Sequence, residues 1–83
     1  MKIKFDVRGI DAWCYDGGWT FNDSWYIGRM ETSGDIKRAF YRFMKKNGVT
    51  FKRGWFQIEF DGDCYTIIQR FTGMPVYIAM PVA

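Results

Sequence analysis

Hydrophobic and polar residues alternate at the start of the chain and recur with a helical period in its middle. Over Lys2–Arg8 the odd-numbered positions are apolar and the even-numbered ones polar, which predicts a half-buried strand. The phase changes at Gly9, because the apolar positions from Ile10 to Cys14 are even-numbered. A glycine at a change of phase predicts a bulge or a tight bend.

Two turns are expected next. In "WCYDGGWTF" the Asp16-Gly17-Gly18 segment supplies turn residues between Tyr15 and Trp19, which predicts a hairpin. "FNDSW" predicts a second turn, followed by a strand over Trp25–Met30.

A single amphipathic helix is predicted over residues 35–47. Thr32 or Ser33 is the expected N-cap, and Asp35 lies in the first turn, where the helix dipole favours a negative charge. Asn47-Gly48 is the expected C-terminal stop, with the glycine in the left-handed conformation. The apolar stripe of the helix consists of Ile36, Ala39, Phe40, Phe43 and Met44.

The rest of the chain predicts three further strands. A two-residue turn at Asp61-Gly62 joins residues 55–60 to residues 64–69, with Ile58 opposite Tyr65 and Phe56 opposite Ile67. A strand over Val76–Met80 follows the turn "TGMP".

The predicted fold is α+β: a mostly antiparallel sheet of five to six strands with the helix packed on one face, in the order β-β-β-α-β-β-β. The length of 83 residues predicts one compact domain, residues 1–83. No stretch is apolar for the ~18 residues of a membrane span, and the alternating first residues are unlike a signal peptide. We therefore expect a protein of the host cell cytoplasm that does not cross a membrane.

The two cysteines, Cys14 and Cys64, are expected to be buried free thiols in that compartment. A disulfide between them is the alternative, because both lie in predicted strands that are candidates for neighbours.

Charge is distributed unevenly along the chain. Residues 37–53 carry seven basic residues and no acidic one, whereas the remainder carries five basic and nine acidic residues. The net charge of +3 therefore conceals a molecule with one basic side.

Catalytic and metal-binding patterns are missing from the sequence. The chain has no histidine, so the usual general base near neutral pH and a common zinc ligand are absent. Asp61-Gly62-Asp63 fits a hairpin turn better than a calcium loop, and no glycine-rich phosphate loop opens the helix. We expect a protein that is not an enzyme and that holds no cofactor or metal.

The basic helix face is the first candidate for function. No acidic residue interrupts it after Asp35, although like charges four residues apart repel each other on a helix surface. A solvated helix face is the alternative interpretation. The predicted partner-binding residues are Lys37, Arg38, Tyr41, Arg42, Lys45, Lys46, Lys52, Arg53 and Trp55.

The excess of aromatic residues is the second candidate. Seventeen of the 83 residues are aromatic, and one short helix covers only one face of a sheet. Sheet curvature, a partner or a second copy of the chain must cover the other face, so a two-fold homodimer is one expectation. The aromatic residues in excess of a small core are Trp13, Tyr15, Trp19, Trp25, Trp55 and Tyr77.

Two classes of function fit these features. The first is a protein-binding module that contacts a protein or ribonucleoprotein through the basic helix and exposed aromatics. The second is a nucleic-acid-binding protein that uses the same helix against phosphates and the sheet aromatics for stacking. In size, compactness and lack of catalytic residues the chain is similar to many phage-encoded inhibitors of bacterial defence, such as anti-CRISPR proteins. That resemblance implies inhibition by occlusion of a partner's surface.

Overall fold

The computed structural model describes residues 2–15, 18–52 and 54–82, with six strand side chains, those of Trp13, Cys14, Tyr15, Trp19, Phe21 and Asn22, outside the described part. The described residues form one five-stranded antiparallel sheet and one helix, which confirms the α+β class. The elements are β1 (Ile3–Tyr15), β2 (Gly18–Thr32), α1 (Ile36–Lys46), β3 (Phe56–Phe60), β4 (Tyr65–Gln69) and β5 (Pro75–Pro81). Their order across the sheet is β2-β1-β5-β4-β3.

The predicted order β-β-β-α-β-β-β is wrong by one strand. Two strands precede the helix, because β2 runs without interruption through "FNDSW", where a turn was expected. The polar residues there form a bulge: Asp11 pairs with Asp23 and Ala12 with Phe21, so one residue of β2 has no partner opposite it. The Asp23 carboxylate accepts the backbone N–H of Ser24, a local bond that a bulge accommodates without reversing the chain.

The bulge or bend predicted at Gly9 is not found at that residue. Strand β1 is not interrupted at Gly9, which pairs with Trp25 of β2 and Tyr77 of β5. The register shifts instead between Val7 and Arg8, where β2 contains the extra residue. The turn predicted at Asp16-Gly17 lies outside the described residues, although Tyr15 and Gly18 pair on either side of it.

The first two strands extend well past the rest of the sheet. β5 pairs with β1 only over Phe5–Gly9, whereas β2 follows β1 along its whole length. Within the described part of the chain, β1 beyond Gly9 therefore pairs with β2 alone. The molecule measures 41 × 29 × 20 Å, and this two-stranded ribbon fits the elongated shape.

Helix α1 begins one residue later than predicted, and its cap is Asp35 instead of Thr32 or Ser33. The Asp35 carboxylate accepts the backbone N–H groups of Lys37 at 2.9 Å and Arg38 at 3.4 Å. The Thr32 hydroxyl oxygen instead accepts a hydrogen bond from the backbone N–H of Gly34. The predicted end is confirmed, since Asn47 is the C-cap and Gly48 has a φ of 84°.

The β3–β4 hairpin exists, but its predicted register is wrong by two residues. Ile58 pairs with Ile67, and Phe60 pairs with Tyr65. The loop holds four residues because the Asp61 carboxylate accepts the N–H groups of both Asp63 and Cys64, each at 2.9 Å. A shift of two residues keeps every side chain on its predicted face, so the core is unaffected.

The core lies between α1 and one face of the sheet. Phe40 is fully buried, and its ring lies 5.9 Å from that of Phe56 and 5.6 Å from that of Tyr77. The buried cluster comprises Phe5, Val7, Met30, Phe40, Met44, Phe56, Ile67 and Ala79. All five strands contribute residues to this cluster, and the helix covers it.

On the opposite face of the sheet, polar side chains of β1 and β2 form a hydrogen-bond network. Asp6 accepts hydrogen bonds from Arg29 at 3.1 Å and from the Tyr26 hydroxyl at 3.3 Å, and Arg8 donates to Ser24. The bonded Asp6 carboxylate raises the pKa of Arg29. In the part of the chain that the structure describes, no helix is long and apolar enough to cross a membrane.

Candidate partner-binding surface

The basic residues of the helix lie on both sides of its buried stripe and on the side opposite to that stripe. Successive helix positions differ by ~100°, so Arg38 and Arg42 lie opposite the buried stripe, whereas Lys37 and Lys46 lie on its two flanks. The structure agrees with this division. A groove lies along each side of the helix, and Arg38 and Arg42 line both.

The first groove, called here the helix–loop groove, has a volume of about 680 Å³ and lies between α1 and the segment that precedes β3. Five of the nine predicted site residues line it, and four of these are basic. The lining residues are Asp35, Lys37, Arg38, Tyr41, Arg42, Lys45, Thr50, Phe51 and Gly54.

Tyr41 belongs to the floor of this groove and is only half-exposed, although the sequence suggested a solvent-facing position. Its hydroxyl oxygen accepts the backbone N–H of Phe56 at 3.2 Å. Its ring lies 6.0 Å from the rings of Phe40 and Phe56. Tyr41 therefore fixes the helix to the start of β3 and holds the groove in shape.

Phe51 provides the second aromatic surface of the groove, and sequence reasoning missed it. Its ring meets that of Phe56 edge-to-face at 4.5 Å and lies 6.2 Å from that of Trp55. A signal was present in the sequence, since Phe51 directly precedes the basic pair Lys52-Arg53. The floor is therefore aromatic and is packed against the core.

The cations around the groove have no acidic partner within the described residues. The ion pairs within the described residues join Arg29 to Asp6 and Lys4 to Glu31, and both lie on β1 and β2, away from the groove. Asp35 lines the groove, but its carboxylate already accepts hydrogen bonds from the first N–H groups of the helix. The positive potential of the groove is thus available to an external group.

The other predicted site residues lie outside this groove. Lys46 lines the second groove, of about 570 Å³, between α1 and β2. Lys52 is exposed, and Trp55, immediately before β3, is 39% exposed. Arg53 lies outside the described residues. The structure therefore brings together Lys37, Arg38, Tyr41, Arg42 and Lys45 in the helix–loop groove, and places Lys46 in the second groove, which Arg38 and Arg42 also line.

The end of β3 and the β3–β4 loop together form an acidic counterpart of the groove. Residues 59–63 hold Glu59, Asp61 and Asp63, all exposed, and Phe60 between them is 58% exposed. The N–H groups of Cys64 and Asp63 lower the pKa of Asp61, so this carboxyl is ionised near neutral pH.

Cys64 closes this loop as a free thiol, whereas the side chain of Cys14, the other cysteine of the predicted pair, lies outside the described part. Cys64 is half-buried instead of fully buried. Partial burial and, after it, the hydrogen bond to Asp61 raise the pKa of the thiol. A thiol in this environment stays protonated and is a poor nucleophile.

Across residues 2–15, 18–52 and 54–82, no group of three or more acidic or cysteine side chains is placed to hold a metal ion. Comparisons of the chain with protein-family models, with curated proteins and with solved structures found no match.

Proposed function

We propose that the protein is a small, non-enzymatic binding module that contacts the acidic surface of a protein or ribonucleoprotein through the helix–loop groove and nearby aromatics. The observation that supports this proposal is the combination in one groove of four cations, without an ion pair among the described residues, and an aromatic floor.

The chemistry of the groove suits a carboxylate-bearing protein surface. Arg38 and Arg42 offer planar guanidinium groups that bind carboxylates with two hydrogen bonds, and Arg is enriched at interface hot spots together with Tyr and Trp. Phe51 and Tyr41 provide a rigid apolar surface on which a partner side chain can be buried. Because the floor is already packed, little ordering entropy is lost on binding.

The mode of action that we propose is occlusion, by which the bound module blocks a surface that the partner needs. An inhibitor of a host defence complex in the cytoplasm, like the phage-encoded inhibitors to which the chain is similar in size, fits this mode. Such an inhibitor needs affinity and shape but no chemistry of its own.

Nucleic-acid binding is the second candidate, because the same cations would neutralise phosphates. The aromatic rings favour the protein partner. The two rings that line the groove, Tyr41 and Phe51, are half-buried, which suits contact with a partner side chain better than the stacking of a base on a whole ring face.

Affinity capture from lysate of the host, with and without nuclease treatment, distinguishes the two candidates. We expect a protein that is retained after nuclease digestion and lost when Arg42 and Lys45 are both changed to Glu. Recovery of nucleic acid alone, with an affinity whose log–log salt slope is about −0.9 per duplex phosphate neutralised, would overturn the proposal.

A further inference from the structure

The helix–loop groove and the β3–β4 loop are complementary in charge and lie at opposite ends of one edge strand. The groove includes Phe51 and Gly54, just before β3 begins at Phe56, and the acidic loop begins as β3 ends at Phe60. Five residues of strand span about 17 Å, so the loop cannot reach the groove of its own chain.

We propose that the β3–β4 loop of one copy of the chain docks in the helix–loop groove of a second copy, and that a two-fold axis beside β3 makes the contact reciprocal. A rotation of this kind places two antiparallel β3 edges side by side and brings each loop to the groove of the other copy. Such an interface closes on itself and yields a dimer.

Charge is the first argument for the second copy as occupant. The end of β3 and the loop after it carry three carboxylates, of which Asp61 is bonded to the N–H groups of its own turn, and no ion pair engages any of the three among the described residues. The groove carries the four cations Lys37, Arg38, Arg42 and Lys45, which are equally without an acidic partner there. Both halves of the contact therefore exist on the same chain and satisfy each other only between chains.

Shape and order of the loop are the second argument. Phe60 stands out between the carboxylates with 58% of its surface exposed, and an aromatic floor offers it an apolar surface to cover. The loop is also held in place by the hydrogen bonds that the Asp61 carboxylate accepts from Asp63 and Cys64. A preorganised loop loses little conformational entropy when it docks.

The free edge of β3 is the third argument. Phe56 points its N–H away from β4 and towards Tyr41. By the alternation of a strand, the backbone groups of Ile58 and Phe60 point the same way and have no strand beside them. The opposite edge of the sheet, β2, contains two register irregularities that make it a poorer template for pairing.

Dimer and partner would compete for one groove. This consequence rests on the proposed function, whereas the dimer itself does not. Reversal of loop charges is then expected to abolish the dimer and to leave partner binding intact or stronger, while reversal of groove charges is expected to abolish both.

The test measures association of the full chain by sedimentation equilibrium from micromolar to millimolar concentration. The loop variant is Glu59→Lys with Asp63→Lys, which spares the Asp61 turn, and the groove variant is Arg42→Glu with Lys45→Glu. Each variant alone is expected to dimerise about 100-fold more weakly than the unmodified chain, since four attractive contacts per dimer become repulsive.

An equimolar mixture of the two variants is the decisive sample. Mixing pairs each basic loop with an acidic groove and each acidic loop with a basic groove, so the mixture is expected to form a heterodimer that neither variant forms alone. Phe60→Lys should weaken the dimer, whereas Ile3→Lys, which removes an apolar residue of similar exposure on β1, should not. A monomer at every concentration, a dimer insensitive to the reversals, or a mixture that stays monomeric would overturn the proposal.

Discussion

The hydroxyl oxygen of Tyr41 accepts the backbone N–H of Phe56, 3.2 Å away, and so joins helix α1 to the free edge of strand β3. This bond satisfies a partly buried donor that no neighbouring strand reaches. It also fixes the helix beside the segment that carries Phe51, and thus sets the width of the helix–loop groove.

Tyr41→Phe should therefore destabilise the protein by about 1 kcal/mol or more, because the Phe56 N–H loses its partner. In a domain of this size, each kcal/mol lowers Tm by about 4–8 °C. Tyr26→Phe is the matched control, since its hydroxyl reaches Asp6 at 3.3 Å on the exposed face and its removal should leave Tm almost unchanged. Equal thermal shifts for the two variants would contradict the role given to Tyr41.

Phe40 and Arg42 are two helix residues with opposite expected effects on stability. Phe40 is fully buried, and Phe40→Ala should cost roughly 3–5 kcal/mol, enough to unfold a domain of marginal stability. Arg42 is exposed and has no hydrogen bond or ion pair within the described residues, so Arg42→Ala should change stability by less than about 0.5 kcal/mol. Circular dichroism during thermal or urea unfolding compares them, and similar midpoints would refute the helix orientation.

Gly9 and Trp25 pair across the first two strands at a distance that leaves no room for a side chain on Gly9. A methyl group there would lie 2.4 Å from the indole ring of Trp25. Gly9→Ala should cost roughly 1–3 kcal/mol, because the ring must move. In a Trp25→Ala background the cost should disappear, giving a coupling energy of about 1 kcal/mol or more in a double-mutant cycle.

The control for this cycle is Gly34→Ala. No atom lies within 4 Å of the position that its methyl group would occupy, and its effect should be independent of Trp25. Additive effects of Gly9→Ala and Trp25→Ala would show that the ring does not rest on the glycine.

Asp61 makes stability depend on pH in the acidic range. Its pKa in the folded protein lies below the ordinary value of 3.8, because backbone N–H groups of Cys64 and Asp63 bind the carboxylate. A group with a lowered folded pKa stabilises the fold above its unfolded pKa, and this contribution is lost as the pH falls through the folded value. The advantage of the native chain over Asp61→Asn should thus shrink as the pH falls below 3.8.

Urea unfolding of both proteins over a series of acidic pH values measures this difference. Asparagine keeps an oxygen that accepts the same N–H groups, so the loop is expected to persist in the variant. A difference that stays constant over the acidic range would mean that the charge of Asp61 does not contribute.

The elements that depend on local pattern were predictable from the sequence. The stripe of Phe40 and Met44 identified the helix, Gly48 identified its end, and alternation over Lys2–Arg8 identified the start of β1. What failed depends on hydrogen bonds between particular side chains and the backbone. Asp23 forms a bulge where a turn was expected, and Asp61 lengthens the hairpin loop by two residues.

The candidate site was predictable in part for the same reason. Helical periodicity identifies Arg38, Arg42 and Lys45 as exposed, because their direction depends only on the helix. The contribution of Phe51 depends on how the chain returns over the helix after Gly48, which no local pattern specifies. The position of Tyr41 depends on the free N–H of Phe56, which exists only once β3 is known to be an edge strand.

Binding of a protein partner in the helix–loop groove is tested most directly by measuring the affinity of two charge-reversed variants for the partner recovered by capture. Arg42→Glu with Lys45→Glu reverses the groove, whereas Lys2→Glu with Lys4→Glu makes the same change in net charge outside it. Affinity measured by calorimetry at physiological salt should fall by at least about 100-fold for the groove variant, as expected for hot-spot cations, and by less than about fivefold for the control. Equal losses for the two variants, or none for either, would show that the groove is a solvated helix face.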